Sequence, residues 1–282
     1  MNLPPPLSIK SWLGKAFKQL ASAGIPSARL DSELILAHTL RKPRSYIHAH
    51  DDEILSDRDE EIANARLALR LDRVPVAYII GHKEFYGRRF RVTTATLIPR
   101  PESEVLMELL DQAIPKNAAL LIEQPLRLID VGTGSGALGI SAKLDHPELE
   151  VTISDVSRHA LKIAESNAKL LKADVTILQS NLLVSYPFVA DVIIANLPYV
   201  DIEWERSPET EHEPALALFA NNGGKALIYE LIDQTKNKLA NGGHLILEAD
   251  PEQHADIIAY AKKYGLLVRE QKEYGLLLQK LN

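Results

Sequence analysis

Asp130-Val131-Gly132-Thr133-Gly134-Ser135-Gly136 is the stretch on which the fold turns. It closes an apolar run that begins at Leu126 and leads straight into Ala137-Leu138-Gly139-Ile140, so a short buried strand passes directly into a helix. Glycines at alternate positions permit a tight turn and let a ligand approach the main chain closely. The spacing Gly-x-Gly-x-Gly differs from the Gly-x-Gly-x-x-Gly that cradles a pyrophosphate. Gly139 completes a looser dinucleotide-like pattern, so a dehydrogenase stays open as an alternative at this point.

Working outward, helix and strand patterns alternate from Val105 onward, as in a doubly wound parallel sheet. Strands are expected at Leu126–Val131, Glu150–Ser154, Val175–Leu178, Asp191–Ala195, His244–Glu248 and Leu266–Arg269, with Gly275–Gln279 following without a helix. Ligands of such sheets lie beyond the carboxyl ends of the strands, and here those ends are polar. The second strand runs into Asp155, whose carboxylate can accept both hydroxyls of a ribose or cap the helix expected over Ser157–Leu171. After the third come Asn181 and Leu182, and the Asn181 amide suits an adenine edge.

The fourth strand ends in Asn196-Leu197-Pro198-Tyr199. The Asn196 side-chain oxygen and the Leu197 carbonyl are neighbouring acceptors that match the two N–H groups of a planar –NH2. Pro198 stiffens the turn and Tyr199 offers a flat face to a planar substrate. Alone, Asn-x-Pro-Tyr also describes an ordinary strand-end turn. Glycine loop, acid and acceptor pair along one sheet edge are more specific together than any of them singly.

The rest of the chain sets bounds. Its 282 residues suffice for a large domain and a smaller one, with ordinary globular values of 46% hydrophobic and 25% charged residues. A net charge of −6 argues against non-specific binding to nucleic acid, and the absence of cysteine excludes disulfides, thiolate metal sites and a cysteine nucleophile. No apolar run reaches membrane-spanning length and the opening lacks a signal pattern, so a cytoplasmic protein is expected.

From Ser8 to Leu71 the spacing predicts helices beginning near Ser8, Ser27 and Ser56. His48, His50, Asp51 and Asp52 are assigned to a solvated polar connection and not to a metal. Alternation around Gly87 predicts a β-hairpin, followed by the stiff segment Leu97-Ile98-Pro99-Arg100-Pro101-Glu102. That segment is read as a rigid linker or as a wall carrying Arg100 and Glu102 towards an active-site mouth.

These residues resemble the HemK/PrmC family of N5-glutamine methyltransferases, which act on peptide chain release factors. The similarity runs from about Pro26 onward and rests on Pro75–Gly81, Phe85-Tyr86-Gly87, Leu97–Glu104, Asp130–Gly136, Asn196–Tyr199 and Glu213-Pro214-Ala215-Leu216-Ala217-Leu218. It implies an α/β chain: a Rossmann-like class I S-adenosylmethionine-dependent methyltransferase sheet with an N-terminal helical bundle and a β-hairpin connector. The expected divisions are 1–73 for substrate recognition, 74–104 for the connector and 105–282 for catalysis. By the same resemblance S-adenosylmethionine is held by Gly132, Thr133, Gly134, Ser135, Gly136, Asp155, Asn181, Leu182 and Asn196. Asn196, Leu197, Pro198 and Tyr199 then hold and activate the acceptor glutamine, with Arg100 and Glu102 beside it.

No metal is implied, and the expected partner of a monomeric enzyme is a class 1 release factor, with no direct contact to nucleic acid. The chain departs from the family at Leu197, usually proline, at Asn181, usually acidic, in the strand end Glu248-Ala249-Asp250, where the family tends to place a glycine, and in lacking the family's usual late arginine. Asn-Leu-Pro-Tyr also resembles the pocket of ribosomal-RNA adenine dimethyltransferases. Methylation of an adenine amine on RNA or DNA, and a non-catalytic cofactor-binding module, are therefore the alternatives.

Overall fold

The computed structural model describes residues 7–114 and 125–281. Two compact units emerge: Met1–Gly81 together with Ser207–His212, and His82–Arg206 together with Glu213–Asn282.

The first unit is helical: α1 (Ile9–Ser22), α2 (Ala28–Leu40), α3 (Arg44–Ala49), α4 (Asp57–Leu71) and α5 (Val76–Ile80). Ser8 and Ser56 start α1 and α4, their hydroxyls accepting the N–H groups of Ser11 and Asp59. Ile9, Trp12, Leu20, Ile35, Leu36 and Leu67 fill the core between the helices, and the Trp12 indole donates to Asn64 at 2.8 Å. The structure differs from the expected polar connection at His48, which sits on α3: Ile47 is fully buried and pulls that turn into the bundle. Tyr78-Ile79-Ile80 is likewise helical, stopped by Gly81 in the left-handed region. Arg70, buried on α4, pairs with Asp31 at 2.7 Å and Glu209 at 3.0 Å, which holds the segment Ser207–His212 to this unit.

The second unit opens on the hairpin β1 (His82–Phe85) and β2 (Arg88–Arg91), closed by Tyr86 and Gly87. Both turn residues have positive φ (47° and 70°), the condition for the tight turn that matches strand twist. After α6 (Val105–Ala113) come β3 (Arg127–Val131), α7 (Ala137–Asp145), β4 (Glu150–Asp155), α8 (Arg158–Leu171), β5 (Thr176–Gln179) and β6 (Ala190–Ala195). The chain ends with α9 (Ala226–Lys238), β7 (Leu239–Glu248), α10 (His254–Lys262), β8 (Leu266–Lys272) and β9 (Gly275–Lys280).

The strands form one seven-stranded sheet in the order β5-β4-β3-β6-β7-β9-β8. β3, β4, β5, β6 and β7 run parallel, and β9 is antiparallel to both its neighbours. Val-, Ile- and Leu-rich strands buried on both faces need helices on both sides, and two apolar clusters supply these layers. The order reverses direction at β3, so the carboxyl ends of β3, β4 and β6 converge on one crevice. This is the class I methyltransferase sheet with a β-hairpin and a helical N-terminal segment.

Candidate functional site

The glycine loop leaves β3 with Gly132, Gly134 and Gly136 at φ 74°, 54° and 85°, a conformation that side chains rarely adopt. The N–H groups of Gly132 and Thr133 both donate to the Ser154 carbonyl, at 2.9 and 2.8 Å, and fasten the loop to β4. Asp130 supports it from below: Oδ2 accepts the Thr133 hydroxyl at 2.5 Å and the Gly139 N–H at 2.8 Å. Its Oδ1 is buried without a partner. Burial pushes the Asp130 carboxyl up to about 6, opposed by those two donors and aided by the nearby Asp155 charge. Gly139, read from the sequence as part of a dinucleotide-like pattern, is a packing glycine here. A Cβ on it would lie 2.9 Å from the Asp130 Cβ and closer still to Ile153.

At the end of β4, Asp155 joins two loops, Oδ2 accepting the Gly134 N–H at 2.9 Å and Oδ1 the Ser157 N–H at 2.8 Å. The cap of α8 is Ser157, whose hydroxyl accepts the Ala160 N–H at 3.2 Å. Desolvation raises the Asp155 pKa, and the backbone donors at Ser157, Gly134 and Val156 pull it back. Asn181 is exposed at the cavity edge, and Leu182 is buried with φ 48°. Sequence reasoning passed over Asn167 on α8, which is fully buried. Its amide takes the Arg91 N–H at 2.8 Å and donates to the carbonyls of Arg91 and Ser135 at 3.0 and 2.8 Å, tying hairpin to glycine loop.

β6 delivers Asn196, and since Ala195 is level with Leu247 on β7, Asn196 comes out beside Glu248. The Asn196 Nδ2 donates to Ser103 Oγ at 2.9 Å. The Tyr199 hydroxyl donates to Glu248 Oε1 at 2.9 Å, and its carbonyl accepts from Gln253 at 2.8 Å. Burial first, and Glu248 second, raise the Tyr199 pKa. Asn196, Leu197 and Pro198 line the cavity, whereas Tyr199 is outside the lining and packs on the core around α9. Leu197 is 4% exposed. Its Cδ2 would be 2.9 Å from a Cβ on Gly132, so the leucine fills the space that the glycine leaves open.

The wall opposite is the segment before α6. Glu213, another residue whose part the sequence did not disclose, is buried there: it accepts the Ile98 N–H at 3.1 Å and pairs with the Arg100 guanidinium. Arg100 is thereby engaged, Glu102 is exposed, and neither lines the cavity, although Ser103 beside them does. The cavity has a volume of about 390 Å³ and joins the glycine loop, Asp155, Asn181 and Asn196 to apolar lining that includes Leu97, Pro99 and Leu216. Polar and acidic groups beside apolar ones, at the switch point of the sheet, suit a nucleoside-bearing cofactor and a second, planar group. The signal for Asp130 and Glu248 was available in the sequence as a lone charge within or at the end of an apolar strand.

Comparison with known proteins agrees with this geometry. Residues 11–81 match the PrmC N-terminal domain and residues 102–211 the methyltransferase small domain. A release factor glutamine methyltransferase from Koribacter versatilis is 34% identical over 255 residues, covering 87% of this chain and 89% of that protein. The chain belongs to the release factor glutamine methyltransferase family. Other members, from Escherichia coli strain K12 and Coxiella burnetii, are 35% and 33% identical and cover 86% and 92% of this chain and the same shares of their own lengths. A methyltransferase from Pyrococcus furiosus shares the fold at a TM-score of 0.53 and 17% identity, covering 78% of this chain and 98% of its own. Among the described residues no helix is long and apolar enough to cross a membrane.

Proposed function

We propose that this chain transfers the methyl group of S-adenosylmethionine to the side-chain amide nitrogen of the glutamine in the Gly-Gly-Gln segment of a class 1 release factor. The observation that carries the reading is the tethering of Asn196. With Nδ2 given to Ser103, its Oδ1 is left as an acceptor in a cavity that also holds the glycine loop and Asp155.

The residues present fit the cofactor. The Asp155 carboxylate takes backbone N–H groups on both oxygens and, with about four acceptor sites, still has room for a ribose hydroxyl. Gly132 to Ser135 present main chain to the cavity, whereas Gly136, a predicted cofactor residue, lies outside its lining and packs on Ile140 and Ala164. Asn181 and Leu182 would border the purine end, and the partnerless Asp130 Oδ1 suits the cationic end of the molecule. When bound, S-adenosylmethionine supplies an electrophilic methyl group on a sulfonium sulfur.

An amide nitrogen is a weak nucleophile because its lone pair is delocalised into the carbonyl. Asn196 Oδ1 and the Leu197 carbonyl would accept its two N–H groups, aim the nitrogen and stabilise positive charge as it develops. Pro198 restricts the loop, and the Tyr199–Glu248 bond anchors its far end. Arg100, through Glu213, holds the wall against which the substrate lies, and Glu102 extends that wall outward. The helical unit would grip the release factor, and the match of residues 11–81 to the PrmC N-terminal domain supports that division of work. A substrate that acts on the ribosome makes the enzyme cytoplasmic.

The test is incubation of purified protein with release factor and labelled S-adenosylmethionine, followed by mass spectrometry of the Gly-Gly-Gln peptide. One added methyl on that glutamine is expected, and none when the glutamine is replaced. Label on adenine-containing RNA alone would overturn the reading in favour of a nucleic-acid enzyme.

A further inference from the structure

Behind Asn196 lies a cluster of buried polar groups whose carboxylate, Glu248, the methyl-transfer reading uses only as an anchor for Tyr199. Ser103 comes from the short helical turn Pro101–Glu104, Asn196 and Tyr199 from the loop after β6, and Glu248 from the end of β7. Asn196 Nδ2 donates to Ser103 Oγ at 2.9 Å, and the Tyr199 hydroxyl to Glu248 Oε1 at 2.9 Å. Glu248 is 1% exposed, and its Oε2 is buried with no partner at ideal geometry. Burial raises its pKa, but the hydroxyls of Ser103 and Tyr199 and the Asn196 amide lie close enough to pull it back.

The chemistry of these groups gives the chain a direction. A carboxylate only accepts, a hydroxyl accepts and donates one proton, and a carboxamide has one end of each kind. Ser103 Oγ accepts from Asn196, so its own proton must go elsewhere; the register that sets Asn196 beside Glu248, and the buried, partnerless Glu248 Oε2, leave that carboxylate as the acceptor for it. Run the other way, the chain would turn the Asn196 –NH2 into the cavity, where it would meet the –NH2 of a substrate amide.

We propose that Ser103 and Glu248 are positioning residues that set the polarity of the Asn196 carboxamide, keeping Nδ2 inward and leaving Oδ1 for the substrate. This rests on the reading of Asn196 as acceptor of the substrate N–H. Neither residue touches the reacting atoms. Glu248 acts because it can only accept, which makes an isosteric donor-bearing replacement harmful. In Glu248→Gln the new amide can donate to Ser103 Oγ, the Ser103 hydroxyl then turns to Asn196 Oδ1, and Nδ2 faces the substrate. A carboxylate at position 196 has no donor end and presents an oxygen in either direction.

The experiment measures kcat, KM for release factor and S-adenosylhomocysteine affinity for Glu248→Gln, Asn196→Asp and the two combined, with Asn196→Ala as reference. Glu248→Gln should lower kcat about 100- to 1,000-fold, the range expected for loss of one preorganised hydrogen-bonding group, and change KM and cofactor affinity by less than about threefold. Adding Asn196→Asp to it should restore activity by about tenfold or more, an epistasis that simple loosening of the core would not produce. Ser103→Ala should resemble Glu248→Gln, and Ser103→Thr, which keeps the hydroxyl, should retain turnover; these variants decide the matter if Glu248→Gln does not fold. Wild-type kcat in Glu248→Gln or Ser103→Ala, or a combined variant no better than Glu248→Gln, overturns the positioning role while the acceptor reading stands. Wild-type kcat in Asn196→Ala overturns the acceptor reading itself.

Discussion

Glu213→Ala should loosen the wall of the cavity, and its magnitude can be worked from the structure. The side chain is 1% exposed, with Oε2 on the Ile98 N–H and Oε1 on Arg100. Truncation leaves a buried N–H without an acceptor, which costs about 1–3 kcal/mol. The Arg100 contact adds less, because that guanidinium is 35% exposed and water screens it; about 1 kcal/mol is its upper range. A total of about 1–4 kcal/mol lowers Tm by roughly 2–16 °C for a domain of this size. Glu213→Gln separates the two parts: its carbonyl oxygen can keep the Ile98 bond, so only the ion pair is lost, about 1 kcal/mol. Thermal unfolding of both variants, with cofactor affinity by calorimetry, checks this. Cofactor binding should weaken in Glu213→Ala because Leu97 and Pro99 line the cavity. Equal Tm for the two variants, or a shift under about 1 °C in Glu213→Ala, would refute the reasoning that the Ile98 N–H depends on Glu213.

Other consequences follow from single sites. The Asp130 carboxyl is raised to about 6 from its ordinary 3.8, so its contribution to stability is intact below about pH 4 and is lost as pH rises through 6. Asp130→Asn should therefore gain on wild type across that window by up to about 3 kcal/mol, and a flat difference between their denaturation curves would contradict it. Gly139→Ala sets a methyl against Asp130 Cβ and Ile153, and should destabilise by about 1–3 kcal/mol and weaken cofactor binding, as read by unfolding and calorimetry. Leu197→Ala removes a buried side chain and should cost about 2–4 kcal/mol in denaturant unfolding, with kcat within about tenfold of wild type because the carbonyl remains. Arg70→Ala leaves the buried Asp31 carboxylate unpaired and should lower stability by about 3–5 kcal/mol, measured by urea unfolding.

What the sequence by itself determined was local. Strand and helix announce themselves by period, so β3 through β9 lie within a few residues of where alternation put them, apart from β7, which begins five residues earlier, at Leu239. Glycine spacing and strand-end polarity are also short-range. That is why the glycine loop, Asp155 and Asn196 could be picked out before any coordinates and do meet at one cavity. Short elements escaped: α3 and α5 are held by buried Ile47, Ala77 and Ile80, and a single turn carries too few residues to display a period. In sequence Arg100 reads with Glu102 as part of a wall at the active-site mouth, but its partner is Glu213, which stands 113 positions away. The same separation hid the setting of the site. Ser103 meets Asn196 across 93 positions and Tyr199 meets Glu248 across 49. Only the order of the sheet brings the end of β7 level with the end of β6, and only the buried chain from Asn196 to Glu248 decides which end of an amide is left to accept. Hydrogen-bond direction depends on which donors and acceptors share a dry space, and tertiary packing alone assembles that space.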